Sequence, residues 1–148
     1  MKITSFLAPT DVLADVAASD KPTLLRALAR RAGAVVHVSP DVILSELLKR
    51  EELGSTGMGG GVAIPHARFH ELDKPYGLFA RLKRPVDFDA VDGRPIDLVC
   101  LLLLPDAPAG EQLGALACTA RKLTDPASLA ALRLARDAAE ISRALAAD

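Results

Sequence analysis

The chain has 148 residues, a length that suits a single domain spanning 1–148, and half of them are hydrophobic, enough for a proper core. Aromatics make up only 3%, with no Trp, so the core rests on Leu, Val, Ile and Ala and offers no platforms for stacking bases. Eighteen basic and 19 acidic residues leave a net charge of −1, which speaks against a nucleic-acid-binding surface or membrane insertion.

The N-terminal MKITSFLAPTDVLADV holds one Lys and no long apolar stretch, so no secretory leader is expected. Val12–Val16 reads as a short strand. Ser19 or Asp20 caps a helix opening at Lys21-Pro22, with Leu24, Leu25, Leu28 and Ala32 at helical spacing and Gly33 as its stop. The connector 34–38 has no clear type. Ser39-Pro40 opens a second helix whose apolar face is Ile43, Leu44, Leu47 and Leu48, and Gly54 ends it. Beyond the glycines that follow, 77–83 alternates apolar and polar residues, as a half-exposed strand towards a sheet edge would. Asp92-Gly93 marks a turn.

The run 98–104 is apolar on both faces and too short to span a bilayer, which predicts a central strand covered by helices. Leu113, Leu116, Ala120 and Leu123 stripe a third helix; Asp125-Pro126 opens a fourth, and Asp137 with Glu140 resembles a capping box for the last. Cys100 and Cys118 lie in apolar segments outside any C-x-x-C pair, so buried free thiols and a cytoplasmic location are expected. Strands interleaved with helices argue for a layered α/β domain.

Five glycines fall within the eight residues 54–61. Such a loop permits positive φ and lets N–H groups approach an anion, but it also suits a merely flexible turn. It lacks the Lys of G-x-x-x-x-G-K-[ST], and Val62 breaks G-x-G-x-x-G after Gly57 and Gly59. His66 and His70 are four apart, a spacing that suits a metal on a helix, yet no third ligand is evident and Pro65 makes the backbone irregular. Neither a metal nor a cofactor is expected. A serine hydrolase is unsupported without a G-x-S-x-G elbow. The combination says more: a glycine loop, a short apolar strand, then His66. Neutral imidazole is a competent nucleophile towards phosphorus near neutral pH, and backbone N–H groups with a cation would stabilise the transferred charge.

The run Lys49-Arg-Glu-Glu-Leu-Gly-Ser-Thr-Gly-Met-Gly-Gly-Gly-Val-Ala-Ile-Pro-His-Ala-Arg68 resembles the active-site signature of the fructose/mannitol-type IIA domains of the bacterial phosphotransferase system. It is most similar to their nitrogen-regulatory branch, and the later run Asp87-Phe-Asp-Ala-Val-Asp-Gly-Arg-Pro-Ile-Asp-Leu98 resembles the same family. The resemblance implies a three-layer α/β domain with a mixed sheet sandwiched between helices. It implies that His66 accepts a phosphoryl group from a small HPr-like carrier and that Arg50 lies near it. Ser55, Thr56 and Gly61 would shape the phosphate pocket; Lys49, Arg68 and His70 read as surface groups, with Arg68 close enough in sequence to assist.

One position departs from the family pattern. Gln112 stands where the family has a second histidine, at the start of the helix after the central strand. Gln donates a hydrogen bond but carries no charge. Three readings follow from the resemblance: a carrier in nitrogen- or potassium-linked regulation, docking on a sensor kinase or a potassium transporter; a sugar-specific IIA component passing phosphate to a separate IIB; and a regulatory binding protein with impaired transfer.

Overall fold

The computed structural model describes residues 1–106 and 109–148; Ala107 and Pro108, in the segment expected to lead into the third helix, lie outside the described residues. Among the described residues, five α-helices and six strands build three layers, a mixed sheet between two helical layers.

Helix α1 (Lys21–Val36) starts where the Asp20 carboxylate accepts the Thr23 N–H at 2.8 Å, with Pro22 in the first turn. The stop expected at Gly33 is overridden. The helix runs to Val36 and ends at His37, whose φ of 60° makes the left-handed cap. Most of the connector 34–38 is therefore helix. Gly33 instead lets α2 (Pro40–Glu52) approach: a Cβ there would sit 2.8 Å from the Val38 carbonyl oxygen and 3.0 Å from Pro40 Cγ. Helix α2 buries Ile43 and Leu47, while Leu48 at the margin of the expected face is exposed.

The strands are β1 (Val12–Val16), β2 (Gly57–Gly59), β3 (Val62–Ala63), β4 (His66–Phe69), β5 (Tyr76–Val86) and β6 (Ile96–Pro105). Their spatial order is β1-β5-β6-β3-β2, with β4 also paired to β6. Strand β5 is parallel to β1 and antiparallel to β6, and β3 and β4 run parallel to β6. The edge position expected for 77–83 is thus corrected: this segment is interior. Its charge is accommodated because Arg81 donates to the Leu132 and Ala135 carbonyls, at 3.0 and 2.5 Å, at the end of α4 (Pro126–Leu134). Lys83 and Arg84 are exposed.

Successive side chains of a strand point to opposite faces. In β6, Val99, Leu101 and Leu103 pack with Leu24, Leu28, Ile43 and Leu47 of α1 and α2. Leu98, Cys100, Leu102 and Leu104 pack on the other face with Ala115 of α3 (Ala109–Lys122), Leu132 of α4, and Ile141 and Leu145 of α5 (Ala138–Ala146). Both thiols are free and buried, and burial pushes that of Cys100 up to about 12.

The apolar stripe expected on α3 is rotated. Leu113 is 68% exposed, whereas Gln112, Ala115 and Thr119 face inward. Small Ala115 lets the helix lie close to the sheet, and Thr119 satisfies its hydroxyl on the Ala115 carbonyl at 2.9 Å. Asp137 does cap α5, but Glu140 turns its carboxylate to the Arg136 N–H and guanidinium instead of completing a reciprocal box. Among the described residues, no helix is long and apolar enough to cross a membrane.

Candidate functional site

After α2 the glycine-rich segment is not a bare loop. It folds as the antiparallel hairpin β2–β3, turned by Gly59, Gly60 and Gly61 with φ of 98°, 67° and 81°. That left-handed backbone is why glycine is needed here. The Gly60 N–H donates to Asp92 Oδ2 at 3.0 Å, so it is occupied within the protein. Arg133 spans the Gly60 carbonyl and both Asp97 oxygens. A Cβ on Gly61 would lie 2.6 Å from the Arg133 guanidinium.

Strand β3 aligns on β6, and Ile64-Pro65 carries the chain along the same edge, where the Pro65 carbonyl accepts the Leu102 N–H at 2.9 Å. His66 then opens β4 opposite Leu102. Its Nδ1 lies 2.9 Å from the Ile64 carbonyl oxygen. A carbonyl only accepts, so Nδ1 carries the proton and Nε2 keeps the lone pair. Burial is the main cause that lowers the pKa of His66; the Ile64 hydrogen bond opposes it, the Arg50 charge adds to it and the Glu51 charge opposes it. The shift favours the neutral ring, and among the described residues Nε2 has no hydrogen-bond partner.

His66 lines a cleft of about 600 Å³ between the C-terminal turns of α2 and the start of α3. Helix α2 contributes Glu46, Lys49 and Arg50, and Leu53 follows at its C-terminal cap; β4 adds Ala67 and Arg68; Leu104, Asp106, Gln112 and Leu116 complete the wall. The cleft sits beyond the carboxyl end of β6, where open α/β sheets gather ligands. Arg50 is half-buried and donates one N–H to the Gly54 carbonyl at 2.9 Å, which braces the guanidinium; among the described residues its other N–H groups have no hydrogen-bond partner. Lys49 pairs with Glu46 at 3.4 Å, and Arg68 is exposed. A neutral nucleophile sharing an open cleft with a braced guanidinium suits attack on a small, doubly charged group.

The sequence-predicted residues divide. His66, Arg50 and Gln112 share this cleft, and Arg68 joins them. Ser55, Thr56 and Gly61 do not line it. The Ser55 hydroxyl donates to the Phe88 carbonyl at 2.6 Å, Thr56 is buried against Glu51, and Gly61 faces Arg133 and Asp97. Gln112 lines the wall, but one N–H of its amide already donates to the Asp106 carbonyl at 2.6 Å, so its NH2 is not wholly free for a ligand. His70 is exposed beside Glu71, and among the described residues no three His, Cys, Asp or Glu side chains converge on a metal site.

Sequence reasoning missed the buried pair Lys21–Glu51, at 2.9 Å. The signal was there: an acidic residue in the last turn of α2 opposes the helix dipole and calls for a fixed partner.

Residues 5–147 match the family described as the phosphoenolpyruvate-dependent sugar phosphotransferase system, EIIA 2. A nitrogen regulatory protein from Bradyrhizobium diazoefficiens is 43% identical over 146 residues, covering 99% of this chain and 95% of the relative. The crystal structure of the nitrogen regulatory protein IIA-Ntr from Neisseria meningitidis superposes with a TM-score of 0.91 at 33% identity, over 97% of this chain and 98% of that one. IIA mannitol from Escherichia coli shares the fold, with a TM-score of 0.77 at 19% identity over 93% of this chain and 97% of that one. With this architecture, and matched along nearly its whole length, the chain belongs to the EIIA type 2 family of the phosphotransferase system.

Proposed function

We propose that residues 1–148 act as one phosphocarrier domain that accepts a phosphoryl group on Nε2 of His66 from a phosphohistidine on a small HPr-like carrier. The observation that carries this is the 2.9 Å contact from His66 Nδ1 to the Ile64 carbonyl, which leaves Nε2 as the one free nucleophilic nitrogen in a cleft that also holds Arg50. In the transfer, the Nε2–P bond forms as the donor's N–P bond breaks, and the donor imidazole leaves with the electron pair. Positive charge grows on the His66 ring, and the Ile64 carbonyl stabilises it at Nδ1–H. Arg50 neutralises the phosphoryl oxygens, and catalysis rests on positioning and electrostatics.

Regulation is favoured over sugar uptake because the 43% identical relative is a nitrogen regulatory protein. In this role the protein works in the cytoplasm, and its phosphorylation state selects a partner such as a sensor kinase or a potassium transporter. The test is incubation with the phosphorylated carrier of the same organism, followed by intact mass. An acid-labile adduct that His66→Ala abolishes is expected; phosphate retained on a Ser or Thr in that variant overturns the assignment.

A further inference from the structure

Glu51 carries a negative charge in the last turn of α2, where the helix dipole disfavours it. Its side chain is nevertheless only 5% exposed, and that of Lys21, its partner from α1, only 15%. Lys21 Nζ also donates to the Phe88 carbonyl at 3.4 Å and lies 4.5 Å from the centre of that ring. Burying an ion pair costs a desolvation penalty that the attraction scarcely offsets, so packed hydrophobic residues would serve stability as well. The pair does something else. Thr56 donates to both carboxylate oxygens of Glu51, from its N–H at 3.0 Å and from its hydroxyl at 2.5 Å. The Thr56 carbonyl accepts the Ile64 N–H at 3.1 Å. The Ile64 carbonyl accepts Nδ1–H of His66 at 2.9 Å.

An unbroken run of hydrogen bonds therefore leads from a buried carboxylate to the imidazole. We propose that Glu51 is a positioning residue for His66: held by Lys21, its carboxylate clamps Thr56 and thereby fixes the Ile64 carbonyl that keeps Nε2 free. Neither Glu51 nor Lys21 lines the cleft, so both set the orientation of the His66 ring through the backbone of 56 and 64, while the Glu51 charge also acts on the ring through space. The consequence for transfer rate rests on the phosphocarrier reading; the consequence for the His66 tautomer does not.

The test uses the full chain as Lys21→Met/Glu51→Gln, which removes both charges together and leaves neither buried alone. Nitrogen-15 NMR of the imidazole, recorded without any donor, reads the tautomer, and thermal melting checks the fold. The parent should show a single Nδ1–H tautomer, and the folded double variant a mixture with Nε2–H. Its single-turnover rate with the phosphorylated carrier should fall about ten- to a hundredfold, as expected of a misplaced reacting group. Should the double variant fail to fold, Thr56→Val keeps the shape, removes the hydroxyl donor and is read the same way. A folded variant that keeps the pure Nδ1–H tautomer overturns the proposal whatever its rate. If the parent itself takes no phosphoryl group, the phosphocarrier reading fails, and the tautomer comparison still decides the role of Glu51.

Discussion

Arg50 offers the most direct test of the cleft's chemistry. The guanidinium is half-buried, braced by the Gly54 carbonyl at 2.9 Å, and shares the cleft with His66. Its charge helps to hold the imidazole neutral before transfer and would be close to the phosphoryl oxygens after it. Arg50→Ala removes a charge-assisted contact in a partly dry site, worth roughly 1.5–3 kcal/mol, or on the order of ten- to a hundredfold in rate. Arg50→Lys keeps the charge but loses the fork, and should fall between. His70→Ala is the control, because that side chain is 83% exposed and pairs with Glu71 outside the cleft. The assay is a single-turnover transfer from the phosphorylated carrier, quenched on the millisecond scale. An independent readout is the His66 titration followed by NMR: removing the cation should raise its pKa in Arg50→Ala and leave it unmoved in His70→Ala. Equal rate losses for the two variants, or a His66 pKa that does not rise without Arg50, would refute the reasoning.

Further expectations follow from the same geometry. Because burial lowers the His66 pKa, the imidazole stays neutral as pH falls below the ordinary imidazole value, and the acid limb of the transfer rate should lie below about 6.5; a limb above that value in a pH–rate profile would count against it. Gln112→Ala should slow transfer by the roughly 0.5–1.5 kcal/mol of a neutral hydrogen bond, and Gln112→His should keep or improve it, most at the acid end where the new imidazole is charged; rate equality of parent and Gln112→Ala across pH 6 to about 8 would reduce Gln112 to a brace for Asp106. Gly33→Ala pits helix propensity, which favours Ala by about 1 kcal/mol, against a Cβ only 2.8 Å from the Val38 carbonyl. Backbone cannot move aside cheaply, so packing should win and thermal melting should show a loss.

The helix starts were legible because they are written locally. Asp20, Asp125 and Asp137 each accept a backbone N–H three residues on, as their positions before an apolar run suggest. The central strand was legible because 98–104 has no polar face to offer. What the sequence hid was decided by partners far along the chain. Gly33 looks like a stop, but only the crossing of Pro40 shows it to be a contact. Arg81 and Lys83 look like edge charges, and only the carbonyls ending α4, some fifty residues on, explain why Arg81 can lie inside. The cleft divides in the same way. His66 and Arg50 were singled out through the signature around them, and the structure brings both to one cleft. The inward turn of Gln112 was hidden, because Leu113 competes for the same face and loses to the small residues beside it.

This division explains how a glycine-rich segment can precede His66, the proposed phosphoryl acceptor, without lining the cleft itself. Its turn is locked from outside, by Asp92 on the Gly60 N–H and by Arg133 on the Gly60 carbonyl and Asp97. Locking the turn fixes β3 on β6, and β3 leads within three residues to His66. The glycines therefore act on geometry, and the charge is left to groups that can reach the cleft from α2 and β4. The two contributions should separate experimentally. Gly61→Ala puts a Cβ within 2.7 Å of both Arg133 and Asp97 in left-handed backbone, so it should cost stability by roughly 1–3 kcal/mol. For a chain of this size that is a melting point lower by about 2–12 °C. Transfer by the fraction that remains folded should be affected far less than in Arg50→Ala. If Gly61→Ala instead melts like the parent and transfers as poorly as Arg50→Ala, the glycine turn contacts the phosphoryl group directly and this separation of geometry from charge is wrong.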